Sequence, residues 1–111
     1  MEELKLSVAR EGVEAFVICV AIGTLRSIEH GMLAEDAGTW GPGRPAFWRP
    51  LVQRGLISPE VAQVLEGCDE LGAIRTLVGE AARREAIATS LATLEARLRA
   101  LDDPQWRAAW E

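Results

Sequence analysis

Little in this chain can carry chemistry. It has one histidine, His30, one lysine, Lys5, no tyrosine, and only two cysteines, Cys19 and Cys68. A single histidine excludes a two-histidine metal motif or a multi-histidine site built from one chain. The cysteines lie far apart with no C-x-x-C or Cys/His spacing beside them, which excludes a zinc ribbon or dithiol motif and points to a reduced cytoplasm. Long apolar runs are missing too. The longest, residues 15–22, ends at Gly23, Thr24 and Arg26 and falls far short of the 18 or so residues of a membrane span. The start, Met1-Glu2-Glu3-Leu4-Lys5, is acidic where a targeting peptide is basic. Positive charge is scarce: 12 basic residues against 17 acidic ones leave −5, which disfavours a phosphate backbone. Neither nucleic acid nor a membrane is an expected partner.

What is present suffices for a core. Hydrophobic residues make up 49% of the chain, and a chain of this length buries roughly two-thirds of its unfolded surface in a single domain without a metal or disulfide staple. Intrinsic disorder is excluded.

The periodicity reads as all-α. Residues 2–30 form one expected long helix, with Glu2, Glu3, Glu11 and Glu14 toward its start, His30 at its end and Gly31 as a left-handed stop. Its middle (Phe16, Val17, Ile18, Val20, Ile22) is apolar nearly all round, which calls for burial on more than one face. A strand is the rival reading of that run, but the long context without proline favours helix. A degenerate repeat follows. Residues 31–37 and 55–62 share the order Gly, two apolar residues, a small residue, acid, alanine, and both read as helix-to-helix junctions. In the second copy Gly55 closes a helix, Leu56 and Ile57 dock, Ser58 caps and Pro59 opens the next helix. The first copy has Ala34 at the cap position, so its helix should be short and end by Gly38.

Between the copies, glycines and prolines over 41–45 predict an irregular loop, placed at 37–50, with a short helix over 46–54. Helix is expected again over 59–66, after an interruption at Gly67 over 69–78, and, after a break at Gly79, over 80–101. That last helix carries Ile87, Leu91, Leu94, Leu98 and Leu101 as a coiled-coil-like seam, with Glu80/Arg84 and Glu95/Arg99 as i,i+4 pairs. Asp103-Pro104 starts a tail, 102–111, with Trp106 and Trp110 one turn apart. These cap the bundle or pair with a second subunit, and a leucine seam not consumed inside so small a bundle favours a homodimer. The expected architecture is therefore a small single-domain helical bundle with long first and last helices and a Gly/Pro/Trp-rich central loop.

An aliphatic helix ending at Ile22-Gly23, the Gly-Leu-Ile-Ser-x-Glu-x-Ala turn at 55–62 and the Gly-x-x-Glu-Leu step at 67–71 together resemble a group of short bacterial proteins of unknown function. The resemblance covers roughly residues 1–80, and residues 40–45 depart from it. It implies a small cytoplasmic helical protein and transfers no activity to any residue.

No catalytic set, cofactor motif or metal-ligand spacing emerges. Gly41-Pro42-Gly43 lacks the Gly-Lys-Ser/Thr ending of a phosphate loop, and Pro42 has no amide N–H to donate. Cys19, inside the apolar run, reads as a small core hydrophobe, and Cys68, beside Glu66, Asp69 and Glu70, as a poor nucleophile. Those three carboxylates, spaced i, i+3 and i+4, read as a solvated acidic face, with a basic partner or a hard cation as the functional alternatives. A helix-turn-helix reader over 52–65 is rejected, because Glu60, Gln63 and Glu66 offer no base-reading arginine.

The unusual stretch is 37–59. It carries Arg44, Arg49 and Arg54 and no acid before Glu60, together with Trp40, Phe47 and Trp48. Tryptophan and arginine are enriched at binding hot spots, so Trp40, Arg44, Phe47, Trp48 and Arg49 are the candidate partner-binding residues. The competing reading folds the aromatics back over the bundle with the arginines in water. The sequence thus points to a non-catalytic protein-interaction module, of an immunity or antitoxin kind, acting through the Trp/Arg loop or the acidic face. The alternative is a small-ligand-binding regulator or minor enzyme, with a pocket lined by the first helix and reached through the Trp40 to Trp48 loop.

Overall fold

The computed structural model describes residues 2–101, and every regular element among them is helical. The tail expected at 102–111, with its two tryptophans, lies outside the described residues. A 3-10 turn, Arg10–Gly12, leads into α1, Val13–Glu29. Three short helices follow: α2, Asp36–Trp40, α3, Pro45–Gln53, and α4, Pro59–Gly67. A second 3-10 turn, Cys68–Glu70, joins α4 to α5, Leu71–Leu77, and α6 runs Glu80–Ala100.

The first helix is shorter than its sequence suggests. Residues 2–9 have no regular structure; Leu4 is 86% exposed, and Ala9 is extended at φ −60°, ψ 146°. The reason lies in the spacing. Leu4, Leu6 and Val8 alternate with period two, so a helix there would offer no continuous apolar face to bury, and a helix of a few turns does not persist without one.

The repeat is a repeated stop. Gly31 and Gly55 take φ +72° and +69°. Each closes its helix with the same two hydrogen bonds: Met32 N–H to Ser27 O (2.8 Å) with Gly31 N–H to Ile28 O (3.1 Å), and Leu56 N–H to Leu51 O (2.8 Å) with Gly55 N–H to Val52 O (3.1 Å). After the stops the copies diverge. Ile57 is buried and Ser58 Oγ accepts from Val61 N–H at 3.2 Å, opening α4 at Pro59. Met32 and Leu33 stay exposed, and α2, lacking a side-chain cap, lasts five residues, to Trp40 rather than Gly38.

The expected irregular loop at 37–50 is mostly helical. Only 41–44 separates α2 from α3, because Pro45 sits at the first helical position, where its fixed φ suits a helix start and its missing N–H costs nothing.

The core gathers along α1 and α6. Ile18 and Leu25 from α1, Val61 and Leu65 from α4, and Ile87 and Leu94 from α6 are fully buried. The leucine seam is consumed within the chain: Ile87, Leu91 and Leu94 are buried, and Leu98 and Leu101 pack against the core at its edge. Gly79, at φ +122°, makes the sharp turn from α5 into α6. At the start of α6, Glu80 meets Arg83 at 2.6 Å and, as its spacing predicts, Arg84 at 3.4 Å; the hydrogen bond from Arg83 holds its carboxyl below the usual carboxylate range. Glu95 does not serve Arg99. It binds Arg26 of α1 at 2.9 Å, so a charge expected to decorate one helix ties two together. No helix among the described residues is long and apolar enough to cross a membrane.

Candidate interaction surface

The turn between α2 and α3 is seated on the 3-10 turn at Cys68. A Cβ added to Gly38 would stand 2.8 Å from the Cys68 carbonyl oxygen, and one added to Gly43 would stand 2.5 Å from Gly38 O and 2.9 Å from Asp69 N. These glycines serve close approach of backbone to backbone. Gly43 N–H donates to Gly38 O at 2.8 Å, and the buried Trp48 indole Nε1–H donates to Gly43 O at 3.2 Å. Beneath the corner, Cys68 is buried with its thiol 3.5 Å from Val64 O, and burial pushes that thiol up to about 11. Desolvation disfavours the thiolate, so this cysteine is inert at neutral pH.

The two sequence readings of the aromatic segment apply to different residues. Trp48, 9% exposed, folds into the core with Leu51 and Val52 beside it at i+3 and i+4. Trp40 is 73% exposed, Phe47 is exposed, and Arg44 and Arg49 point to water. Arg49 also lies over the Trp48 ring, 5.6 Å from its centroid. Four of the five candidate residues are thus exposed on or beside the α2–α3 turn, with Phe47 and Arg49 to either side of Trp48 on α3, and the fifth pins the turn from inside. Trp48 is corrected from a contact residue to an anchor, since a side chain donating to Gly43 O from within the core has no face left for a partner. Arg10 donates to Arg54 O at 3.2 Å, at the far end of α3.

The remaining candidates are dispersed. Glu66, Asp69 and Glu70 are exposed, and no group of three or more His, Cys, Asp or Glu among the described residues is placed to hold a metal ion. His30 is exposed at the C-cap of α1, 3.5 Å from Glu29. Cys19, expected in the core, is exposed. It sits on the side of α1 away from Ile18, Ala21 and Leu25, and among the described residues the core covers that other side.

Sequence reasoning missed Glu14. It is 9% exposed, accepts from the Ser58 backbone N–H, and takes two hydrogen bonds from Arg97, at 2.6 and 3.0 Å. Ser58 is the cap of α4, and a capping box would place a Glu three residues on to receive its N–H. Val61 stands there, and Glu14 supplies the carboxylate from another helix. The available signal was register: Glu14 falls in line with Ile18, Ala21 and Leu25 on the core side of α1.

An open groove of about 310 Å³ lies between α4 and α6, lined by Glu60, Gln63, Val64, Gly67, Thr89, Ser90 and Thr93. It is lined by α4 and α6 rather than by the first helix and the Trp40 to Trp48 segment, where Trp48 is buried. Compared with models of known protein families, with curated proteins and with solved structures, the chain has no match.

Proposed function

We propose that this chain is a non-catalytic protein-interaction module whose partner docks on the α2–α3 corner. The observation that carries the reading is Trp40, 73% exposed on a backbone held in place by the Gly38, Gly43 and Trp48 contacts. A large aromatic on a fixed corner gives contact area at little ordering cost, and the exposed Arg44, in the same turn, offers planar donors. The complementary surface is apolar at its centre and carries carboxylates around it. An immunity- or antitoxin-like role, in which a small protein engages one other protein stoichiometrically, belongs within this reading.

The test is affinity purification of the tagged chain from its source cell, beside a Trp40→Ala, Arg44→Ala variant. Both side chains are exposed, so the variant should melt like the parent while losing a stoichiometric partner. Retention of that partner by the variant, or a clean preparation of the parent with none, sinks the reading. The small-ligand alternative draws its support from the hydroxyl-lined α4–α6 groove, and a ligand that raises Tm in the parent but not in a Thr93→Trp variant would favour it.

A further inference from the structure

The groove between α4 and α6 gathers polar groups that the fold leaves unused. Glu60, Gln63, Thr89, Ser90 and Thr93 all line it, and none of these five side chains has a hydrogen-bond or ion-pair partner among the described residues. The hydroxyls are the telling members. A serine or threonine inside a helix commonly donates to the carbonyl four residues back, as Thr24 does to Val20 O at 2.9 Å. Thr89, Ser90 and Thr93 stand well inside α6 and make no such bond, although Ser90 and Thr93 are half-buried. Three hydroxyls, an amide and a carboxylate thus border one space of about 310 Å³, at the lower end of the range for small-molecule sites.

Charge and length select the ligand. No lysine, arginine or histidine lines the groove, so an anion finds no charged partner there. Negative charge stands at both ends of its α4 wall. Glu60 lies in the first turn of α4, and at the other end Gly67 has Glu66, Asp69 and Glu70 close by in the chain, all exposed and unpaired among the described residues. Seven residues of helix separate Glu60 from Gly67, a rise of about 10 Å. Between the two ends Val64 offers apolar surface, and the hydroxyl and amide oxygens accept N–H bonds. We infer that the groove binds a linear aliphatic polyamine of about spermidine's length, with one end ammonium on Glu60, the other at the Gly67 end, and the methylenes over Val64. A sugar would leave both negative ends without a partner, and a compact metal ion would reach only one. The net charge of −5 draws such a cation toward the chain. The inference rests on the groove of the small-ligand reading and needs no contact at the α2–α3 corner.

The experiment is a titration of the isotope-labelled full chain with spermidine at neutral pH, followed through its backbone amide signals by nuclear magnetic resonance. Signals from α4 and from residues 89–93 should move together along one saturating curve, with a Kd of about 0.1–1 mM for a ligand of about ten non-hydrogen atoms in an open site. Hexaamminecobalt, a compact cation of the same charge, should bind the same residues about tenfold more weakly at matched ionic strength. Glu60→Gln should weaken spermidine about threefold or more, and Thr93→Trp, which fills the groove, should abolish the response. Glu60 is exposed and its replacement nearly isosteric, so that variant carries the test should Thr93→Trp fail to fold. Shifts that never saturate, or that spread evenly over the acidic surface, overturn the inference. So does a cobalt complex that matches spermidine, and so does a Glu60→Gln chain that binds like the parent. None of these readouts involves Trp40 or Arg44, so this inference and the corner reading fail separately. A different ligand that raises Tm while spermidine moves no signal would refute the polyamine and keep the groove.

Discussion

Removing the Glu14 carboxylate should destabilise the fold by more than its one-residue size suggests. In Glu14→Ala the Ser58 N–H loses a charged acceptor in a partly buried setting, and Arg97 loses both of its hydrogen bonds. A hydrogen bond from a backbone N–H to a charged group is worth about 1.5–3 kcal/mol. The Arg97 pair adds less, because that side chain is 35% exposed and water can take over, so about 0.5–1 kcal/mol is reasonable after screening. The sum is about 2–4 kcal/mol, a large part of the total stability of a domain this size. Glu14→Gln keeps an oxygen for Ser58 and should lose about half as much. Urea unfolding followed by far-ultraviolet circular dichroism at pH 7 measures the losses, with an unchanged m-value showing that two-state behaviour persists. A double-mutant cycle with Arg97→Ala should return a coupling of about 1 kcal/mol. A loss below about 0.5 kcal/mol for Glu14→Ala would refute the view that this carboxylate completes the cap of α4. Equal losses for Ala and Gln would assign the effect to charge alone.

Gly43→Ala should cost about 3 kcal/mol or more, since its Cβ meets backbone on two sides and the corner must lift off Cys68, releasing Trp48 from Gly43 O; near-parental Tm would contradict it. Stability should fall between pH 9 and 11. There the folded chain still holds the Cys68 proton that the unfolded chain has shed, so the native state binds more protons and ΔG of unfolding decreases with pH by up to about 2–3 kcal/mol. Below pH 9 this contribution is constant, and in Cys68→Ala the decline over that window should be correspondingly shallower in urea titrations.

Much of the helical framework is legible because it is punctuated locally. Ser58, Pro59, Gly55 and Gly31 act through their own backbone preferences, and each stands where its chemistry predicts. The α6 seam is equally plain, because its spacing fixes one face whatever packs against it. Errors arise where a long-range neighbour decides. Glycines at 38 and 43 look like loop formers, but they are contact surfaces for a backbone 25 or more residues away. Trp40 and Trp48 are the same residue type eight positions apart, and the placement of α3 turns only the second inward. Cys19 is surrounded by apolar neighbours in sequence yet is exposed among the described residues. The pairing of Glu14 with Ser58 and Arg97, 44 and 83 residues away, leaves no local mark beyond a charge in line with an apolar face.

The packing of α1 against α6 makes folding an all-or-none affair for this chain. Joining the two long helices closes a loop of about 50 residues between Glu29 and Glu80. By loop-length entropy that closure costs about 3–4 kcal/mol before any further constant. The helices inside the loop are five to nine residues long, too short to persist alone in water. Each part therefore needs the other: the short helices gain walls from the long pair, and the long pair recovers its closure cost only through the core the short helices complete. A cut within residues 41–44 would leave two fragments, each with one long helix and only part of the core, and neither would hold its structure apart from the other.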